Sequence, residues 1–387
     1  MMAETKRDAK KYEKINNMLF LADIVLTVIV LLCFFITPLS LDLMKIIEKN
    51  IPESCGQPVH FILLNAAYLI AFTLINWVIF LPLHYYGSYH IEHSYGLSNL
   101  NRLNWFKDES KRIIITVLTK LILIEALYLL LWKQPGSWWI WTAVVWIVFS
   151  VIMSKVYPSL ILPLFYKLKP IENESLAGKI KTFIEKEGGR VLGVYEWVLS
   201  EKTKKANAAF AGMGNTKKVI LGDTLLRNYS EEEIETIVAH EFGHHRFRHI
   251  YKFLYIGAVF YIASFALINM IFKGLIDMRY HGYIEFYNIA TFPLIALLIY
   301  VIQLIAMPTF NAISRFFERQ ADRFALEKTG KPDAFISGMT KLAEQNLANK
   351  EPNGIIEFLL YSHPAISKRI KAAEEYKKNI SPGRRDN

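Results

Sequence analysis

Apolar residues in this chain come in long blocks rather than in strand-like alternation. Six blocks stand out, at roughly 19–39, 61–83, 113–132, 138–162, 253–272 and 291–310, each about the length that carries a helix across the hydrocarbon of a bilayer. The fifth and sixth are weaker, as expected of helices partly covered by protein. No internal repeat is visible. Two stretches are polar and charged instead, from Lys167 to Tyr251 and from Asn311 to the end. In the first of these, Leu176, Ile180, Phe183 and Ile184 share one face of a helix that stops at Gly188-Gly189. A strand follows from Val191 to Leu199. Ala206 to Gly212 and Val219 to Leu221 then read as a hairpin about a Gly-Asn turn. Ser230, with Glu233 three positions on, has the spacing of a capping box and opens a long helix.

This pattern predicts a mainly α protein, a polytopic helical membrane bundle or barrel with a small α+β domain. The expected divisions are a four-span membrane region over 1–166, a soluble α+β segment over 167–251, two further spans over 252–310, and a C-terminal helical segment over 311–387 that completes the soluble domain.

Composition agrees: 53% of the 387 residues are hydrophobic. The net charge of +10 admits nucleic acid as a partner. However, no basic stripe is interleaved with aromatics as a strand-binding groove requires, so no nucleic-acid partner is expected. Basic residues gather instead where a membrane protein keeps them. If the N-terminus (Lys6, Arg7, Lys10, Lys11, Lys14) is cytoplasmic, the connections near 40–60, 134–137 and 275–290 lie outside and hold few Lys or Arg. The loop from Tyr86 to Arg112 and both polar stretches then face the cytoplasm. The run Leu19–Leu39 is too long for a cleaved signal and reads as an anchor. The two cysteines, Cys33 and Cys55, have no disulfide or metal spacing. A multi-pass protein of a bacterial inner membrane or of the endoplasmic reticulum is expected, in contact with lipid.

The capped helix carries His240-Glu241-Phe242-Gly243-His244. Histidines at i and i+4 lie on one helical face and reach one metal ion, with the intervening Glu beside the open coordination position. That set suits one Zn2+ per chain, with Glu241 as the base toward water. Chance is the competing reading of so short a pattern; the cap and the adjoining membrane segment weigh against it. A metzincin would need Gly at 247 and His at 250, where Phe247 and Ile250 stand. His245 and His249 are off register for the third ligand, and His245 points away from the metal face. Glu318, in Glu318-Arg319-Gln320-Ala321-Asp322, is the better candidate. Asp322 shares its helical face and is placed to accept the second N–H of a ligand histidine. The alternative for this segment is an ordinary solvated helix.

These residues resemble the type I CAAX prenyl endopeptidases, integral-membrane gluzincins that cut proteins behind a prenylated cysteine. His240 to His244 resembles that family's zinc helix, and Glu318 to Asp322 its E-x-x-A-D element, which implies Glu318 as third ligand and Asp322 behind a histidine. Asn207-Ala208 after Lys204-Lys205 resembles its substrate-pairing edge strand, implying Asn207 with the backbone of Ala208 and Phe210 as peptide contacts. His363-Pro364 with Arg369 resembles its H-P-x-x-x-x-R element, which implies oxyanion stabilisation by His363 and Arg369. Ile91-Glu92 with Tyr95-Gly96-Leu97, and Tyr157-Pro158 with Pro163-Leu164-Phe165, resemble its non-catalytic segments. The resemblance also implies a chamber enclosed by the spans. Eukaryotic members have seven spans where this chain shows six, as bacterial relatives often do.

The expected activity is therefore zinc-dependent endoproteolysis of extended, membrane-associated peptides or proteins, lipidated or not. The alternatives are a quality-control protease for damaged or translocation-stalled membrane proteins, and a membrane scaffold or chaperone with a vestigial site. An intramembrane site-2-type protease is disfavoured, because Glu231, Glu232, Glu233, Glu235, Arg246 and Arg248 make the zinc helix too charged for lipid.

Overall fold

The computed structural model describes residues 2–52, 54, 56–212, 217–280 and 284–380. Cys55 and the Gly214-Asn215 turn lie outside the described residues. Among the described residues, six helices are long and apolar enough to cross a membrane: Arg7–Ile36, Gln57–Ser94, Arg102–Lys133, Trp138–Phe165, His249–Arg279 and Ile289–Thr329. Each contains one of the six predicted blocks or most of it, and each runs past it at one end or both, because a helix continues where its backbone bonds can, beyond the apolar stretch that lipid selects.

The spans turn aliphatic side chains outward, among them Leu21, Val25, Ile29, Val148, Ile152, Val259 and Ile305. Inside, Tyr68, Phe72, Leu127, Tyr128, Leu131, Trp138, Phe272 and Ile295 form one buried cluster. The buried hydroxyls of Tyr68 and Tyr128 are paired, as a water-poor interior favours: Tyr68 shares a 2.6 Å hydrogen bond with Ser40, which donates to Ala290 O at 2.7 Å, and Tyr128 meets Thr291 at 2.8 Å. A cavity of about 620 Å³ opens between the first three spans, with Asp23, Trp77, His84, Glu109, Arg112 and Lys120 in its wall.

Outside the spans lies a four-stranded sheet of order β1-β2-β4-β3, comprising β1 (Leu168–Pro170), β2 (Gly193–Trp197), β3 (Ala208–Ala211) and β4 (Lys218–Gly222). β3 and β4 form the predicted antiparallel pair, with Ala208 opposite Leu221 and Phe210 opposite Val219. β2 and β4 run parallel. β1 has no apolar pattern of its own in the sequence; it forms because β2 offers it an antiparallel edge. β3 is the other edge strand, and among the described residues no strand pairs with its outer side. The helix Glu174–Lys186 packs Leu176, Ile180 and Ile184 into a second buried cluster, which also takes Val219 and Leu221 from β4, Val238 and Phe242 from the motif helix, and Phe324, Phe335, Met339 and Ala373 from the C-terminal part. Residues from both polar stretches thus share one core.

Candidate metal centre

The motif helix spans Glu231–Arg246. Its first turn is fixed as the spacing predicts: Ser230 Oγ accepts from Glu233 N at 3.3 Å, and Glu233 Oε2 accepts from Ser230 N at 2.7 Å. Lys341 (2.7 Å) and Ser337 (2.6 Å) hold the same carboxylate from a neighbouring helix. Burial alone would raise the Glu233 carboxyl; these hydrogen bonds outweigh it and hold it below its ordinary value.

The partner of this helix is Phe292–Thr329, the helix of the sixth span, which continues without a break into the second buried cluster. Gly243 lets the two backbones come together: a Cβ there would sit 3.1 Å from Ala321 Cα. That approach brings Glu318 to the two motif histidines. Glu318 Oε2 lies 3.3 Å from His240 Nε2, and Glu318 Oε1 lies 3.2 Å from His244 Nε2. The three ligand atoms fall within 4.8 Å of one another, and among the described residues this is the only such group. Glu318 and His240 are buried.

Three observations fit this pocket to a divalent cation. Two imidazoles and a carboxylate, with one position left open, are the donor set of catalytic zinc. Glu318 Oε2 is buried and makes no hydrogen bond. The local field also favours positive charge: burial would lower the His240 imidazole, but Asp322 and Glu318 overcome it and push it up to about 10. Behind His240, Asp322 Oδ1 lies 2.8 Å from Nδ1, the relation expected of these residues. Glu241 is partly buried beside this group, and burial lifts its carboxyl above the usual carboxylate range against the pull of His240 and His244.

Arg369 is buried and donates to Asp322 through Nε at 2.8 Å and Nη2 at 2.5 Å, with Nη2 3.4 Å from His240 Nδ1. His363 is exposed, its Nε2 3.3 Å from Glu318 Oε1. Its loop is anchored by Arg315, which donates to the carbonyls of Glu357 (3.0 Å), Phe358 (3.3 Å) and Tyr361 (2.6 Å). His245 turns away, stacked on Phe210 with ring centroids 5.0 Å apart.

The approach to β3 is pinned from two sides. Ala206 N donates to Asn346 Oδ1 at 2.8 Å, and Asn346 Nδ2 donates to Ala206 O at 3.1 Å. Lys204 N donates to Leu97 O at 2.9 Å, and Lys205 pairs with Glu92 at 2.8 Å. The Ile91-Glu92 and Tyr95-Gly96-Leu97 segment is therefore what docks the β3 approach on the spans. Asn207 is exposed, and Ala208 and Phe210 are partly buried on the edge strand. Gly243, Asn346 and Arg315 had no separable signal in the sequence: each acts through a residue far away along the chain.

Comparison with known proteins places this geometry. The model of peptidase family M48 matches residues 170–377. One described as "CAAX prenyl protease N-terminal, five membrane helices" matches residues 1–167, where four of the candidate spans lie. The chain is 28% identical to the uncharacterized metalloprotease YhfN of Bacillus subtilis, over 95% of this chain and 85% of that one. It is 27% identical to the probable CAAX prenyl protease 1 of Schizosaccharomyces pombe, over 80% of this chain but only 65% of that one. Against CAAX prenyl protease 1 of Saccharomyces cerevisiae the values are 25%, 79% and 71%. The crystal structure of S. mikatae Ste24p superposes with a TM-score of 0.82 at 21% identity, covering 96% of this chain and 88% of that one, and so shares its fold. With more than half its length matched, the chain belongs to peptidase family M48, as a multi-pass membrane protease that resembles the CAAX prenyl proteases.

Proposed function

We propose that the chain is a zinc-dependent endopeptidase that cleaves extended peptide segments presented at the membrane. The observation that carries this reading is the convergence of His240, His244 and Glu318, from two helices, with Asp322 behind His240. Zinc held by these three residues supplies Lewis acidity toward a peptide carbonyl and toward water. Glu241 takes the proton of the attacking water and delivers it to the departing amine. His363, exposed and close to Glu318, is placed to donate to the oxygen on which negative charge develops. Arg369 acts with it from behind: its charge is fixed on Asp322, which orients His240. The free edge of β3, at Asn207, Ala208 and Phe210, holds substrate through its backbone.

The test is metal analysis of the purified chain. About one zinc per chain is expected, with occupancy cut strongly in Glu318→Ala. An active preparation without zinc, or a Glu318→Ala variant with parental occupancy and activity, overturns the assignment.

The names of the relatives favour a prenylated substrate, and the backbone-reading edge strand favours a broad substrate list of the quality-control kind. Mass-spectrometric identification of membrane proteins that accumulate uncut in cells carrying Glu241→Gln separates them. A short list with a shared C-terminal cysteine motif supports the first, and a long list of unrelated proteins the second. The intact ligand set opposes a vestigial scaffold. The distribution of Lys and Arg supports a catalytic domain facing the cytoplasm.

A further inference from the structure

His244 presents Nε2 to Glu318, so its Nδ1 faces the other way, 2.9 Å from His249 Nδ1. His249 is 2% exposed and stacked on Phe317, with ring centroids 4.2 Å apart and planes 11° from parallel. Its other nitrogen, Nε2, lies 3.0 Å from Gln320 Oε1. The chain returns His249 to His244 by a turn at Arg248, whose φ of 56° lies in the left-handed region that a side chain of this size seldom occupies.

Proton bookkeeping along these contacts gives a single direction. A ring nitrogen that ligates a metal presents a lone pair, so His244 must carry its proton on Nδ1. That N–H points at His249 Nδ1, which must then be unprotonated to accept it. His249 consequently carries its proton on Nε2 and donates it to the Gln320 carbonyl oxygen. The reverse direction, with the Gln320 amide nitrogen donating, puts a proton on His249 Nδ1 and makes His244 Nδ1 an acceptor. His244 would then hold its proton on Nε2, where the metal belongs.

We infer that His249 and Gln320 are positioning residues that fix the tautomer and orientation of His244 for metal binding. This inference rests on the proposed ligand set. It gives the helix Phe292–Thr329 two tasks, since Asp322 holds His240 directly and Gln320 holds His244 through His249. Partners of this kind raise the basicity of the ligand and typically contribute 10- to 100-fold to metal affinity.

The experiment uses the full-length purified chain and zinc affinity measured by competition with a chelator. His249→Phe keeps the stack on Phe317 and removes both nitrogens; Gln320→Leu keeps the volume and removes the acceptor. Both should weaken zinc binding by about 10- to 100-fold, with activity returning at saturating zinc. Because Gln320 acts only through His249, the double variant should be no worse than His249→Phe alone. Parental zinc affinity in His249→Phe, or a double variant in which the two losses multiply, overturns the relay. If His249→Phe does not fold, Gln320→Leu decides alone: parental affinity there overturns it. A parent chain that binds no zinc, unchanged by His240→Ala, instead sinks the metal reading beneath it.

Discussion

Glu241 and Glu318 are both acidic, both near the same histidines, and chemically assigned to different tasks, so substitution separates them. Glu241→Gln should retain zinc and fold while turnover falls about 10²- to 10⁴-fold, because a neutral amide accepts no proton from water. Turnover within a few-fold of the parent refutes the base. His363 and Arg369 separate in the same way. His363→Ala should lower kcat by about 10²- to 10³-fold with zinc retained, the loss of a donor used at the transition state. Arg369→Ala should also weaken zinc, since it strips the partner from Asp322, whose carboxylate is buried behind His240. Equal zinc affinity in the two variants counts against a positioning role for Arg369.

Helices and strands set how close those residues come. Gly243 faces Ala321 so closely that a methyl group there would meet Ala321 Cα at 3.1 Å, tighter than ordinary contact. Gly243→Ala should cost about 1–3 kcal/mol of stability by overpacking and lower zinc affinity by moving Glu318 away from the histidines. A variant with parental unfolding and zinc binding contradicts the close approach. At the start of the same helix, the Glu233 carboxyl is held below its ordinary value. The stability it contributes is complete above the unfolded carboxyl pKa and is lost as pH falls through the lower folded one. Acid unfolding of Glu233→Gln should therefore show a smaller dependence on pH in the acidic range than the parent. The outer edge of β3 offers unpaired backbone groups. A proline scan of a peptide substrate should abolish cleavage at the register that pairs with β3, because proline brings no N–H. Tolerance of proline at every position around the cut excludes strand addition.

Across the described residues, the two larger buried clusters divide the labour. One lies among the spans, and the other ties the sheet, the motif helix and the C-terminal helices together. The helix Phe292–Thr329 runs from the membrane part into the second, so Glu318 is held relative to the spans by a continuous backbone. Orientation is the prediction at this scale. Single cysteines at Lys217 and Glu351, in a chain with both native cysteines changed to serine, should react with a reagent supplied from the cytoplasmic side, and one at Asp277 from the far side. Protection of 217 and 351 from the cytoplasmic reagent reverses the topology.

Local periodicity made the six spans, the Ser230 cap and the β3–β4 pair legible, because each depends on neighbours within a few turns or one hairpin. His240, Glu241 and His244 were legible for the same reason: a helix alone puts i and i+4 on one face. Glu318 stands 74 positions after His244, and spacing left it level with an ordinary solvated glutamate until the family resemblance singled it out. Strand β1, the edge position of β3, and the convergence of Glu318, His363 and Arg369 on the motif helix are settled by packing between distant segments. The clearest instance is Gly243 against Ala321. Neither residue carries chemistry, yet the distance their small side chains allow brings a carboxylate and two imidazoles to one point, and no one-dimensional pattern contains that distance.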